Sequence, residues 1–224
     1  MSVIKTIVPA AYAGHRPDVM SLVPLDVTSI LDVGCSTGNL GAAVKARQEC
    51  HFVGLDGSRC AIDEAQKKLD TALLVDLDQT EWVAQLNGKE FDCVIFADVL
   101  EHLKDPEALF QNLRPMLSPN CSVIVSLPNV RHISTFTRLL LGRRWPREPR
   151  GVHDRTHLRW FTDLDAQEIL ESWNVQIEIV KHNYRILEKP SRFNSTKVAR
   201  LIYRLRPSLL IHQTLLRGRM HPPL

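Results

Sequence analysis

Two glycines in a short turn are the clearest sign of chemistry in this 224-residue chain. Gly34 and Gly38 stand between an apolar run and a helix-like segment. Glycine in such a turn lets the backbone adopt unusual dihedrals and lie directly against a ligand. The spacing is G-x-x-x-G, with Ser36 where a dinucleotide fingerprint needs its second Gly, and no Lys follows Gly38 as in a phosphate-binding P-loop. The turn therefore indicates a nucleoside ligand that lacks a pyrophosphate.

Two acidic residues follow the next two strand-like runs. Asp56 lies 22 positions after Gly34, and an acid at the end of a second strand can accept hydrogen bonds from both ribose hydroxyls. Asp76 takes the same place after the third run, where a carboxylate could accept an adenine amino group while Leu77 packs on the ring. In register with the glycine turn, these acids make a nucleoside site a specific prediction.

The elements that must position these residues alternate along the chain. Apolar runs predict strands at residues 29–33, 51–55, 72–75, 91–97 and 122–127. The segments between them predict helices at 39–49, 58–70, 79–87 and 106–117, the last with Asp105 as its cap and Pro106 in its first turn. Such alternation favours a Rossmann-like, doubly wound α/β sheet, mostly parallel, which binds ligands at the carboxyl ends of its strands.

The pattern breaks after Pro128. Residues 129–161 are rich in Arg and His, and Trp145-Pro146 begins a stretch that does not suit regular structure, so we expect an insert that covers the site. A helix at 163–173, capped by Thr162 or Asp163, a strand at 175–180, a basic amphipathic helix at 197–205 and a last strand at 211–217 are predicted beyond it. We expect one domain over 1–224: an opening segment at 1–28, a ligand-binding core at 29–128, the insert at 129–161, and the remaining sheet with its basic helix at 162–224.

Charge is distributed unevenly. Residues 1–130 hold 10 Lys and Arg against 17 Asp and Glu, whereas residues 131–159 hold 8 Arg against 2 acids. Residues 189–224 carry 8 basic side chains and no acid. A uniformly basic nucleic-acid binder does not have this pattern. An acidic body with a basic insert and tail favours an anionic molecule at those two places, with a merely solvated Arg-rich surface as the alternative.

Cysteine usage and hydropathy exclude other classes. The five cysteines form no C-x-x-C pair and are odd in number, which argues against a disulfide framework or a structural zinc site and favours a cytoplasmic protein. No run approaches the roughly 18 apolar residues that a membrane span needs.

Four segments together resemble the class I S-adenosylmethionine-dependent methyltransferases: residues 31–41, 53–58, 75–78 and 91–103. The resemblance implies a seven-stranded sheet with an antiparallel last strand, and S-adenosyl-L-methionine as cofactor. It also implies the cofactor-binding residues, which are Tyr12, Asp32, Gly34, Gly38, Asp56, Gly57, Asp76, Leu77, Ala97 and Asp98. Ser36 departs from the family's commonest turn, which leaves the detailed geometry of that turn open.

A looser resemblance concerns residues 126–132, 151–162 and the opening 12–17. These segments are similar to bacterial methyltransferases encoded near glycosyltransferases, which are associated with cell-surface polysaccharide or natural-product glycosylation. In that group the opening segment covers the cofactor. The resemblance implies a small glycosylated acceptor.

Methyl transfer to oxygen or nitrogen requires alignment of the acceptor and, near neutral pH, a base. His102 follows the fourth strand, and His157 lies in the insert with Asp154 three positions earlier. These three residues are the catalytic candidates. The alternatives are that His102 is structural or caps a helix, and that Asp154 and His157 only pin the insert to the sheet. A metal site could be formed by His153, Asp154 and His157, but three ligands within five residues converge poorly on one ion, so no metal is expected there.

Arginines of the insert could recognise an anionic acceptor, since guanidinium groups suit phosphate. The substrate-binding candidates are Arg131, His132, Arg143 and Arg144. The basic helix near the C-terminus could rest on an anionic membrane, with sheet-edge packing or a homodimer as the alternative. A cofactor-binding regulatory partner without chemistry and, less favoured, an RNA methyltransferase remain as other functions.

Overall fold

The computed structural model describes residues 14–86, 88–186 and 207–221, which form one seven-stranded sheet flanked by helices. The strands are β1 Ser29–Val33, β2 His51–Asp56, β3 Thr71–Leu74, β4 Phe91–Ala97, β5 Leu117–Pro128, β6 Val175–Tyr184 and β7 Ile211–Met220. The α-helices are α1 Pro17–Met20, α2 Asn39–Arg47, α3 Arg59–Ala65, α4 Pro106–Leu113, α5 Ile133–Gly142 and α6 Asp165–Ser172. Short 3-10 helices occupy Glu81–Leu86, Leu100–His102, Arg114–Met116 and Pro207–Leu210.

The strands lie in the order β3-β2-β1-β4-β5-β7-β6. Strands β1 to β5 pair in parallel, and β7 runs antiparallel to both of its neighbours. The predicted fold, a mostly parallel seven-stranded sheet with an antiparallel last strand, is confirmed. Because β1 lies between β2 and β4, the chain winds away from it in two directions, which opens a crevice at the carboxyl ends of β1 and β4.

The sheet buries side chains on both faces. Successive residues of a strand point to opposite faces, so Ile30 packs in one apolar cluster while Leu31 and Val33 pack in the other. In the second cluster Trp173 stacks on Phe110, with ring centroids 4.2 Å apart. The strands are continuous runs of Val, Ile, Leu and Phe because both faces of a parallel sheet are covered, so that the side chains of both faces are buried.

Helix beginnings follow the capping residues in the sequence. The Asp105 carboxylate accepts a hydrogen bond from the Ala108 amide at the start of α4, as predicted. Before α6 the Thr162 and Asp165 side chains each accept the other's backbone amide, which agrees with Thr162 as the predicted cap, although α6 itself begins at Asp165, two residues later than predicted.

Several predicted boundaries were wrong. Helix α3 ends at Ala65, and the helix predicted over 79–87 is the 3-10 helix Glu81–Leu86. Strand β5 begins at Leu117 because this residue already pairs with Phe91 of β4. The predicted basic helix at 197–205 lies outside the described residues.

The segment at 129–161 returns to its starting point, because Asn129 bridges Phe161. Residues 145–149, which were predicted to lack regular structure, contain no helix or strand. The segment also contains helix α5, which was not predicted and which begins where the Ser134 amide donates to the His132 side chain. Among the described residues, the helices are all too short or too polar to cross a membrane.

Candidate active site

The turn after β1 has the conformation that its glycines require. Gly34 has a φ of +83°, and a Cβ there would lie 2.9 Å from Cγ2 of Val99. Gly38 has a φ of +71° and begins α2. Ser36 also adopts positive φ, +49°, so it takes the left-handed conformation despite its side chain. The turn therefore keeps its shape at the position where Ser replaces Gly.

Asp56 closes this turn from the end of β2. Its Oδ2 accepts the Ser36 amide at 2.8 Å and its Oδ1 accepts the Ser58 amide at 2.8 Å. An ionised carboxylate has about four acceptor positions, so each oxygen keeps one for a ligand hydroxyl. Gly57 is exposed beside it. Asp56 can hold a ribose and fix the glycine turn at the same time.

Asp76 and Leu77 follow β3 at the same edge of the sheet. The Asp76 side chain is exposed, its Oδ1 accepts the Asp78 amide, and Leu77 is half-buried. The positions predicted to frame an adenine are therefore accessible.

Asp32 provides a direct test of whether a cationic cofactor fits this site. Its side chain is 2% exposed, and its Oδ1 has no hydrogen-bond partner among the described residues. Burial and the nearby Asp56 carboxylate raise the pKa of Asp32 to about 7, although Arg16 opposes this. A buried carboxylate without a partner is unfavourable alone. The ammonium or sulfonium of S-adenosylmethionine would supply the missing charge, so the residues fit that cofactor.

Asp98, after β4, is the centre of a hydrogen-bond network. Its carboxylate accepts Arg16 Nη1 at 2.6 Å, Gln213 Nε2 at 2.7 Å and Ser126 Oγ at 3.0 Å. Burial alone would lower the pKa of Arg16, but Asp98 and Asp18 raise it above its usual range. Ala97 precedes Asp98 at the end of β4 and is partly exposed.

Arg16 was missed as a site residue. The signal available in the sequence was its place in the opening segment that the resemblance puts over the cofactor.

A cavity of about 680 Å³ adjoins Asp98. Its wall combines the end of β4, the opening segment, the insert and the β6–β7 pair. Its lining includes several charged or titratable side chains, among them Arg16, Asp98, Glu101, His102, Arg138, Arg150 and His157. The insert therefore covers a chamber next to the carboxyl end of β4, where an acceptor could bind.

His102 and His157 meet in the wall of this cavity. Their ring centroids are 4.8 Å apart, and Nε2 of His157 is 3.9 Å from Oε1 of Glu101. Burial, with His102 beside it, lowers the pKa of His157 to about 4, so this ring is neutral at physiological pH. Sequence reasoning missed Glu101, although it directly precedes His102 and belongs to the methyltransferase-like stretch.

Asp154, a catalytic candidate, is not among the residues that line this cavity. Its Oδ1 accepts both the amide and the hydroxyl of Thr156, at 2.9 and 2.7 Å. Since that hydroxyl donates to Asp154, it can only accept from Nδ1 of His102, 3.1 Å away. Asp154 therefore orients the Thr156 hydroxyl toward Nδ1 of His102. The neighbouring His153 does not take part in this chain of contacts: its Nε2 lies 2.8 Å from Oγ1 of Thr135.

The four substrate-binding candidates also lie outside the lining of this cavity. Arg131 pairs with Asp163 at 3.5 Å, and the buried His132 contacts the Arg185 carbonyl through Nε2 at 2.8 Å. Arg143 ends α5 in the left-handed conformation, and Arg144 beside it is exposed.

Two other arginines of the insert, Arg138 and Arg150, do line the cavity, and Arg138 pairs with Glu148. The cofactor candidate Tyr12 lies outside the described residues.

With this geometry in hand, comparison with known proteins identifies the domain. Residues 31–123 match the family described as "Methyltransferase domain". An S-adenosylmethionine-dependent methyltransferase from Mesorhizobium loti superimposes with a TM-score of 0.61 at 18% identity, covering 91% of this chain and 96% of that one. Residues 31–123 therefore match a methyltransferase domain, and the chain has the fold of the S-adenosylmethionine-dependent methyltransferases. The predicted class of enzyme and its cofactor agree with this domain.

Other similar proteins extend the comparison. The methyltransferase domain is similar to the ubiquinone biosynthesis O-methyltransferase of Azorhizobium caulinodans, 36% identical over 163 residues. That alignment covers 70% of this chain and 60% of the relative, so the chain spans less than two thirds of the relative's length. The magnesium protoporphyrin IX methyltransferase of Synechocystis PCC 6803, with bound S-adenosylhomocysteine, superimposes with a TM-score of 0.61 at 18% identity. That match covers 94% of this chain and 83% of the neighbour.

Proposed function

We propose that this protein transfers a methyl group from S-adenosylmethionine to a hydroxyl oxygen of a small acceptor. The cofactor would bind over the Gly34–Gly38 turn, with Asp56 on its ribose and Asp32 near its charged end. The acceptor would occupy the 680 Å³ cavity. One observation carries this proposal: Asp98 and Glu101, which follow β4, belong to the cavity wall, and β4 is the direct neighbour of the strand that leads into the glycine turn.

The residues of the chain would act mainly by position. The bound cofactor supplies a methyl group on a sulfonium, which leaves as a neutral thioether. The protein must align the acceptor oxygen and exclude water, and the insert covers the cavity for that purpose. A hydroxyl also has to lose its proton, and Glu101, His102 and His157 are the candidate proton acceptors in the same wall.

An oxygen acceptor is favoured over nitrogen by the similar ubiquinone biosynthesis O-methyltransferases. An anionic acceptor, such as a glycosylated phosphate, is favoured by Arg138 and Arg150 in the cavity wall and by the Arg-rich insert. Arginine forks bind carboxylate and phosphate in pairs of hydrogen bonds. We therefore propose a small anionic hydroxyl compound. The resemblance to methyltransferases encoded near glycosyltransferases favours a glycosylated one.

The test is an acceptor screen with labelled S-adenosylmethionine. The purified protein is incubated with anionic glycosides, hydroxybenzoates and polyprenylated phenols, and the labelled product is located by mass spectrometry. We expect turnover on an anionic hydroxyl compound, and Arg150→Ala should raise its KM roughly tenfold, a loss of about 1.4 kcal/mol. Arg59→Ala, at an exposed position at the start of α3, is the control. Cofactor binding without turnover on any acceptor would instead favour a regulatory role.

Three further expectations stay proposals. We propose a cytoplasmic location from the free cysteines, among which Cys35, Cys93 and Cys121 are buried. A peripheral membrane contact or a homodimer through the basic helix predicted at 197–205 is proposed from its sequence alone. Liposome co-sedimentation that is independent of anionic lipid would contradict the first of these two contacts, and a monomeric mass in solution the second.

A further inference from the structure

Three side chains that can bind metal ions meet in the cavity wall. Glu101, His102 and His157 each offer one donor atom, and these atoms lie within 4.8 Å of one another. They come from two distant parts of the chain, the 3-10 helix after β4 and the end of the insert. Glu101 and His157 are buried, whereas His102 is partly exposed, so the cluster is not an exposed acidic patch.

Hydrogen bonds orient both imidazole rings. Nδ1 of His157 lies 3.2 Å from the carbonyl oxygen of Val152, to which it can only donate. Nδ1 of His102 donates to Thr156, whose hydroxyl is held by Asp154. Each ring therefore carries its proton on Nδ1 and keeps the lone pair on Nε2. Metal-ligating histidines show this arrangement, with the remote nitrogen bonded to a carbonyl or a carboxylate-linked group.

Glu101 has a carboxylate that the protein leaves uncompensated. The residue is 1% exposed, and its Oε2 has no hydrogen-bond partner among the described residues. Arg16, a cation of the same cavity wall, is bound to Asp98 and Asp18. A bound cation would supply the positive charge that compensates the Glu101 carboxylate.

We propose that Glu101, Nε2 of His102 and Nε2 of His157 bind one divalent transition-metal ion, such as Zn²⁺ or Fe²⁺. Two imidazoles and one carboxylate suit these ions, and three protein ligands leave a position open for another molecule. Bonds of about 2.1 Å require donors about 3.4 Å apart, so the three side chains must draw together by about 1 Å when the ion binds.

The role of the ion in methyl transfer rests on the proposed function. The open position faces the cavity, so an acceptor hydroxyl could coordinate the ion there. Coordination lowers the pKa of a bound hydroxyl and would make the alkoxide or phenolate available near neutral pH. The metal then favours oxygen acceptors that present a hydroxyl beside a second oxygen, since both could reach the ion.

The first test measures metal binding without turnover. The metal-free protein is titrated with Co²⁺ by visible absorption and with Zn²⁺ by calorimetry. We expect one equivalent to bind. Glu101→Gln and His157→Ala should each raise the Kd at least tenfold, and Thr156→Val should raise it about tenfold through His102. His51→Ala is the matched control because His51 is an exposed histidine at the start of β2, and its Kd should stay unchanged.

Glu101→Gln keeps the shape of the side chain and removes a buried charge, so we expect it to fold. The inference is overturned if Co²⁺ binds with the same stoichiometry and spectrum in Glu101→Gln and His157→Ala, or if no saturable site exists. Metal binding that these variants weaken, in a protein without turnover on any acceptor, would refute the proposed function and leave the metal site standing.

Discussion

Asp32 should make the free protein less stable as the pH rises, and Asp32→Asn should remove this effect. The pKa of Asp32 is raised from 3.8 to about 7, so the folded state holds a proton that the unfolded state has lost over this range. Its contribution is fully present below about pH 4 and is lost as the pH rises through 7. The rise of about three units corresponds to about 4 kcal/mol over the whole range, and to about 2.5 kcal/mol between about pH 5 and pH 7.5.

The measurement is urea unfolding of both proteins without cofactor at these two pH values. His157, whose lowered pKa acts in the opposite direction, is present in both proteins and cancels in the difference. The wild type should lose about 2.5 kcal/mol more than Asp32→Asn between the two values. Asp26→Asn, a substitution of an exposed aspartate, is the control and should keep the wild-type slope.

An Asp32→Asn variant whose stability falls with pH as steeply as the wild type's would refute the reasoning. The same argument predicts that S-adenosylmethionine binds more tightly as the pH rises toward 7, because its positive charge favours the ionised carboxylate. Calorimetry in buffers of different ionisation enthalpy should then detect proton release, and Asp32→Asn should abolish it.

Three other substitutions test the turn and the core. Ser36→Gly should raise the free energy of unfolding by about 1 kcal/mol, measured by urea unfolding, because Ser36 holds a left-handed conformation that glycine adopts freely. Gly34→Ala should lower it by about 2 kcal/mol and weaken cofactor binding in calorimetry, because the new Cβ would meet Val99; unchanged values would contradict the turn geometry. Trp173→Ala should cost about 4 kcal/mol in thermal unfolding, since the ring is fully buried against Phe110, and a loss below 1 kcal/mol would contradict that packing.

The sheet could be predicted because its information is local. Apolar runs bounded by Asp or Gly mark β1, β2 and β4 to within one residue. Strand β5 could not be bounded in this way, since its first residue is fixed by pairing with Phe91 across the sheet. Helix α5 was missed because the Arg and His content around it resembles a loop, and its cap, His132, is an uncommon capping residue.

Some residues of the candidate site could likewise be predicted from the sequence, and others could not. The turn residues and Asp56 could be read from their spacing after strands. Glu101 could not, because its importance comes from contact with His157, which lies 56 positions later in a different segment. Arg131 and His132 were chosen by residue type, and the structure gives them partners of their own.

Strand β7 lies between β5 and β6 although it follows both in the sequence. Strand β6 has β7 as its neighbour in the sheet, and Gln213 of β7 donates to Asp98. During synthesis on the ribosome, neither β6 nor the Asp98 network can therefore take its final form until residue 220 has emerged. A nascent chain stalled before that point should expose β6 to proteases, and chaperones would have to protect this half of the sheet longest.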